Sequence, residues 1–237
     1  MANFLLIHGS NHGAWCWRDL IPALTARGHT ARAIDLPSHG ADATPIAEAT
    51  LDGYARAILD GLDGPTVLVG HSAGGFAITQ AAEIDPTNVA GLVFVCAYVP
   101  EEGKSLVDML RDAPSQPLRG GLEIGHEGAA FRFKEDTARR LVYHDCPTET
   151  VDFALQNLGW QPMAPQTTPV AFTGKGAGLP RDYVLCTEDR TIEPAHQRQM
   201  SAGFAPGRVH EMPTGHCPFL ADPKRLAAML DRIARDT

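Results

Sequence analysis

Basic residues are scarce: 20 Lys and Arg stand against 28 Asp and Glu, a net charge of −8, and no basic block occurs anywhere in the chain. That excludes a general phosphate-binding surface, so nucleic acid is not an expected partner. No apolar run reaches the length of a membrane span, so no membrane partner is expected either. The opening MANFLLIHGSNHG lacks the basic n-region and long apolar core of a secretory leader. Cysteine is sparse as well. The five present, Cys16, Cys96, Cys146, Cys186 and Cys217, form no even set and show neither C-x-x-C nor zinc-finger spacing. The expectation is reduced thiols in a cytoplasmic protein, without a disulfide framework or a structural metal. Internal repeats and low-complexity tracts are also missing. What remains is ordinary globular usage, 44% hydrophobic and 20% charged over 237 residues, enough for one domain with a substantial core.

Short β-rich runs alternate with segments of helical periodicity. Strands are predicted at 3–8, 30–36, 66–71, 89–98, 182–187 and 208–213. Helices are predicted at 15–28, at 50–62 with Thr50 as N-cap, at 74–84, near 193–203 and at 222–235. Such alternation implies a mainly parallel sheet of about six strands, covered on both faces by helices. The nearly unbroken apolar character of TVLVG and GLVFVCA suits buried parallel strands. The alternation pauses after Pro100 for a stretch rich in Pro, Gly and charge, with weak helical pieces near 135–144 and 148–158. Residues 1–100 and 181–237 are therefore expected to form the sheet domain, and 101–180 a mostly helical lid inserted into it.

The stretch VLVGHSAGGFAITQ runs from a strand through glycines into a helix, with Ser72 at the turn. A nucleophile on such a turn projects above the sheet, and Gly70 and Gly74 keep the backbone two residues either side free of side chains. The following helix presents its N-terminus to the same point, favouring negative charge there. A serine hydroxyl needs a base to take its proton, and the base needs an acid to orient it. Asp189, just past a late strand, and His216, just past the final one, would both reach the carboxyl rim of the sheet that carries Ser72. Glu188 adjoins Asp189 and stays open as the acid. Asp35 reads as structural, His196 and His210 as surface or packing residues, and the ring of His71 as pointing away from Ser72. His8 and His12 are four residues apart, but on a strand and a loop that spacing makes no shared metal face.

A developing oxyanion requires preset donors. The amide of Ala73, next to the nucleophile, is one candidate. The amide of Ser10 is the other, in a loop where Gly9 permits close approach.

Taken together, HGSNHGAWCW (8–17), GHSAGG (70–75), VLCTEDRTI (184–192) and TGHCPFLADP (214–223) resemble the α/β-hydrolases that include plant methylesterases, hydroxynitrile lyases and some bacterial carboxylesterases. The resemblance spans nearly the whole chain and is less clear in the lid. It implies a triad of Ser72, Asp189 and His216, an oxyanion hole from the Ser10 and Ala73 amides, and no cofactor. Lyases of this group as a rule carry threonine after the first histidine and lysine after the catalytic one, where this chain has Gly9 and Cys217. Without that ammonium group nothing obvious stabilises a departing cyanide, so a serine esterase is expected ahead of a cyanohydrin lyase or a ligand-binding receptor on a retired hydrolase fold. Aromatic residues of the lid and catalytic loops, Trp15, Phe76, Phe131, Phe133, Trp160 and Phe219, are expected to wall a largely apolar pocket for a small-molecule ester. The assembly is expected to be a monomer or a homodimer.

Overall fold

The computed structural model describes residues 1–235, so the last two residues of the expected sheet domain lie outside the described ones. Strands β1 (Asn3–Ile7), β2 (Thr30–Ile34), β3 (Thr66–His71), β4 (Val89–Val95), β5 (Arg181–Cys186) and β6 (Val209–Met212) form one six-stranded sheet in the order β2-β1-β3-β4-β5-β6. Every neighbouring pair is parallel. The strand order reverses beside β1 and β3, which opens a crevice beyond their carboxyl ends, where open parallel sheets bind ligands.

Alternate side chains of each strand enter opposite layers of the core. Phe4, Leu6, Val67, Val69, Val93 and Val95 pack with Leu20 and Leu24 of helix α1 (Leu20–Thr25) and, at the far end of the chain, with Leu226, Leu230 and Ile233. Leu5, Ile7, Leu68, Leu92 and Phe94 face the other way, against Ala55 and Ile58 of α2 (Leu51–Asp60) and Ile78 and Ala81 of α3 (Gly74–Ile84). As expected, Thr50 caps α2, its hydroxyl accepting from the Gly53 amide at 2.9 Å. The continuous helix predicted at 15–28 is instead a 3-10 turn at Ala14–Trp17 followed by α1. Pro22 explains the break, because it cannot donate to the preceding turn. Helix α4 (Pro194–Ser201) follows β5, and α5 (Pro223–Arg235) closes the chain.

Between Val95 and Arg181 the chain adds no strand to the main sheet. Helices at Leu106–Asp112 and Thr148–Asn157, with a π-helical segment at Ala138–Val142, supply most of its regular structure. The first is closed by a capping box between Ser105 and Asp108. Where a mostly helical segment is predicted, Leu122–Gly125, Ala130–Phe133 and Gln161–Pro162 also form a small antiparallel sheet. Strands of two to four residues are too short to leave a periodicity that sequence patterning resolves.

Helix α3 is drawn tightly onto the loop after β4. A β-carbon at Gly75 would collide with the backbone carbonyl of Tyr98, which no rotamer change relieves. Gly75→Ala is therefore expected to destabilise the protein by about 3 kcal/mol, lowering the melting temperature by roughly 6–12 °C. A variant that melts with the parent in calorimetry contradicts this packing.

Candidate active site

Ser72 sits between β3 and α3 with φ at +52°, a left-handed conformation that is costly for a residue with a side chain. Backbone bonds hold it there: its amide donates to Val95 at 3.2 Å, and its carbonyl accepts from Tyr98 at 3.1 Å and Gly75 at 3.2 Å. Close approach explains the neighbouring glycines. A β-carbon on Gly70 would lie 2.8 Å from the Gly74 carbonyl oxygen, and one on Gly9 would lie 2.8 Å from Cβ of Ser72. The loop after β1 thus rests directly on the serine turn. Neither the amide of Ser10 nor that of Ala73 meets an acceptor among the described residues, and both residues border the same cavity as Ser72.

Asp189 and His216 meet in the interior, Nδ1 of the ring donating to Oδ2 at 2.7 Å. The carboxylate is fixed on every side. Its Oδ1 accepts from the amides of Thr191 at 2.7 Å and Ile192 at 2.9 Å, and Oδ2 also accepts from Nε2 of Gln197 at 2.9 Å. Among the described residues the Glu188 side chain makes no such contact, and its backbone amide donates to Thr214 at 3.0 Å. Because Nδ1 is occupied by the carboxylate, Nε2 is the nitrogen of His216 left for chemistry. Neither that nitrogen nor the Ser72 hydroxyl has a hydrogen-bond partner among the described residues. His71 lies beneath, donating from Nε2 to the backbone carbonyl of His216 at 2.9 Å. Cys96 donates to the same oxygen at 3.2 Å. His71, Cys96 and His216 also form the one metal-capable cluster among the described residues, with Nε2 of His71 and the Cys96 thiol both turned to the His216 carbonyl.

Above Ser72 opens a cavity of about 410 Å³ whose surface is mainly apolar, walled by Tyr98, Leu106, Leu110, Leu118, Phe131, Phe133 and Ile192, with Gln166 and His196 also on the wall and Arg111, Arg119 and Glu193 among its polar members. Residues between 101 and 180 cover it, and that segment is hydrogen-bonded to each of the loops below. Asn11 donates to the carbonyls of Phe131 at 2.8 Å and Gly159 at 2.9 Å. The Thr191 hydroxyl donates to Leu141 at 3.1 Å, and the amide of Gly215 donates to Asp145 at 2.6 Å.

The sequence and fold are similar to those of known proteins. Residues 4–229 match the alpha/beta hydrolase family. The chain belongs to it. Methylesterase 2 of Arabidopsis thaliana is 32% identical over 98% of this chain and 95% of its own length. The pyrethroid hydrolase of Sphingobium wenxiniae is 30% identical over 99% of this chain and 88% of its own. A solved pyrethroid hydrolase from Sphingobium faniae superposes with a TM-score of 0.84 at 26% identity, covering 99% of this chain and 97% of that one. The hydrolase is accordingly an esterase.

Of the aromatic residues expected to wall its pocket, Phe131 and Phe133 do so. The other four turn elsewhere. Trp15 stacks on His12 with centroids 5.3 Å apart and meets Phe153 at 5.7 Å, outside the cavity. Phe76 is packed with Met109 and Val170 and borders a much smaller second cavity beside Gly9. Trp160 lies on the lid surface against Gly125 and under Arg132, whose guanidinium is 4.7 Å from the ring. Phe219 is sealed between Trp17 and His71, at 4.4 and 4.8 Å. Nearness in sequence to a site loop does not decide which way a side chain faces. His196, read as a surface or packing residue, instead lines the cavity, whereas His210 bonds Asp182 at 2.8 Å. Two further residues carry no sequence signal: Asp145 meets Gly215, 70 residues on, and Gln197 reaches Asp189 only because α4 folds back beside the loop after β5.

Four imidazoles, His8, His12, His39 and His71, are buried around the site, and burial holds each below its ordinary value. His12 is lowered to about 4; its Nδ1 donates to the Ser10 carbonyl at 2.8 Å while Nε2 accepts from Tyr143 at 2.8 Å. Between pH 6.5 and 4 the unfolded chain therefore binds protons that the folded one refuses, so stability falls as the pH falls through that window. His12 alone contributes on the order of 3 kcal/mol to the loss. Denaturant midpoints are expected to drop steeply from pH 6.5 to 4, with a shallower slope in His12→Gln. A flat profile contradicts burial of neutral rings.

Proposed function

We propose that the hydrolase cleaves carboxylic esters through an acyl-enzyme on Ser72, with Asp189 and His216 completing a triad and the Ser10 and Ala73 amides forming the oxyanion hole. The observation that carries this reading is the sealed 2.7 Å bond from His216 to Asp189, at the same rim as a serine locked in a left-handed turn. Nε2 of His216 takes the hydroxyl proton as Oγ attacks the ester carbonyl, and the two amides receive the negative charge on its oxygen. The protonated ring then gives its proton to the departing alkoxide. Water, deprotonated by the same nitrogen, attacks the acyl group, releasing the acid and restoring Ser72. The serine–histidine contact is open at rest, and in this class of site it commonly tightens when substrate binds.

The apolar walls and the volume of the cavity support an uncharged ester with small to medium aliphatic or aromatic parts. The names of the methylesterase and pyrethroid hydrolase relatives support the same class. Cyanohydrin cleavage is the weaker reading, because Cys217 is fully buried and supplies no cation beside His216. An arrangement with both the acid–base pair and the free amides in place also favours turnover over a purely receptor role. We further propose that residues 101–180 act as the lid of this site, and that the protein works in the cytoplasm as a monomer or homodimer. The cysteines are free, and among the described residues no helix is long and apolar enough to cross a membrane.

Ser72→Ala is expected to lower kcat for an aryl ester by at least about 10⁴-fold while leaving the melting curve in place. An assay of an aromatic cyanohydrin is expected to yield no cyanide. Ester turnover that survives in Ser72→Ala, or cyanide release outpacing hydrolysis, contradicts the proposal.

A further inference from the structure

The apolar wall of the cavity contains two polar rings for which the hydrolytic mechanism has no use. Tyr98 follows β4 and His196 lies on α4, and their rings meet edge to face with centroids 5.9 Å apart and planes at 75°. Both are buried, at 5% and 8% exposure, and both border the cavity above Ser72. The phenol hydroxyl and the two imidazole nitrogens make no hydrogen bond to any described residue. Five other side-chain polar atoms are fully sealed without a partner, on Asn11, Trp15, Trp17, His71 and His144, and those of Tyr98 and His196 are not among them. What accessibility the pair retains is available to a cavity occupant.

Polar atoms kept on a cavity wall without a protein partner must be met by water or by an occupant, a demand that phenylalanine or leucine would not make. An unpaired donor and acceptor side by side in a ligand cavity are instead matched by a ligand atom. The pair is also uncharged near neutrality. Burial holds the phenol protonated and pushes the imidazole below its ordinary value, with the carboxylate of Glu101 opposing the latter shift. Two neutral groups of this kind suit a neutral oxygen.

Resting on the esterase reading above, we propose that Tyr98 and His196 form a polar subsite that hydrogen-bonds a second, uncharged oxygen of the substrate, an ether, ketone or hydroxyl oxygen set apart from the scissile ester. The preferred substrates are then apolar esters bearing one such oxygen, rather than plain hydrocarbon esters.

The test compares kcat/KM for two esters of equal size, one with an ether or ketone oxygen in its larger part and one with a methylene or methyl group in its place. The parent protein is expected to prefer the oxygenated ester about tenfold. Tyr98→Phe and His196→Phe should each reduce that ratio, and the double variant should bring it near unity. His196→Gln, which keeps a donor and an acceptor, should restore part of it. Because each ratio comes from one preparation, partial unfolding of a variant cancels. Equal rates on both esters in the parent, or a preference that persists in the double variant, overturn the subsite while Ser72-dependent hydrolysis stands. Cleavage of either ester that persists in Ser72→Ala overturns the esterase mechanism itself.

Discussion

Ser72 can hold its left-handed turn only because its surroundings prevent relaxation, and the rest of the site is assembled on that constraint. The backbone conformation costs about 1–2 kcal/mol for a residue with a side chain. It persists because β4 and the start of α3 bond the serine on both sides, and because Gly9, Gly70 and Gly74 allow backbone to press against it. The same crowding sets the first turn of α3 and the loop after β1 against each other. Two amides, those of Ser10 and Ala73, are thereby left without acceptors among the described residues. A site prepared in this way requires little rearrangement as charge develops, which is where preset dipoles act most strongly.

The segment 101–180, the proposed lid, is structurally part of this preparation. Asn11, Thr191 and Gly215 belong to the loops that carry the proposed oxyanion donor, acid and base, and each is hydrogen-bonded to a residue of that segment. The segment 113–120, which forms another wall of the cavity, is held far less firmly. Among the described residues its one side-chain hydrogen bond to the sheet domain is that of Ser115 to Glu193, at 2.7 Å. One part of the segment therefore braces the loops of the proposed triad while another only borders the cavity. That division fits the proposed role, in which the cavity admits an ester and still keeps its polar groups in register.

Much of this was legible in the sequence for a physical reason. Parallel strands buried on both faces must be apolar throughout, so β3 and β4 announce themselves, and the glycines around Ser72 mark a turn that few other residues could make. The loops of Asp189 and His216 follow strands whose carboxyl ends share one rim, so their convergence follows from topology. What could not be read is the direction of individual side chains. Phe219 follows the His216 loop yet is packed beneath His71, and Tyr98, at the end of an apolar run, faces the cavity. Gln197 shows the same limit: it is an ordinary helical glutamine until the fold brings it against Asp189. The small sheet of the lid depends on pairing across intervening chain, which local pattern does not encode.

If an ester's acyl group passes through Ser72, it can be caught by mixing the protein with an activated aryl ester, quenching within milliseconds and weighing the intact chain. A burst of one phenol per chain is expected, with a matching acyl mass on the peptide containing Ser72 that decays as turnover proceeds. Steady hydrolysis with no burst and no acyl mass on that peptide, even when deacylation is slowed by lowering the pH, would contradict it.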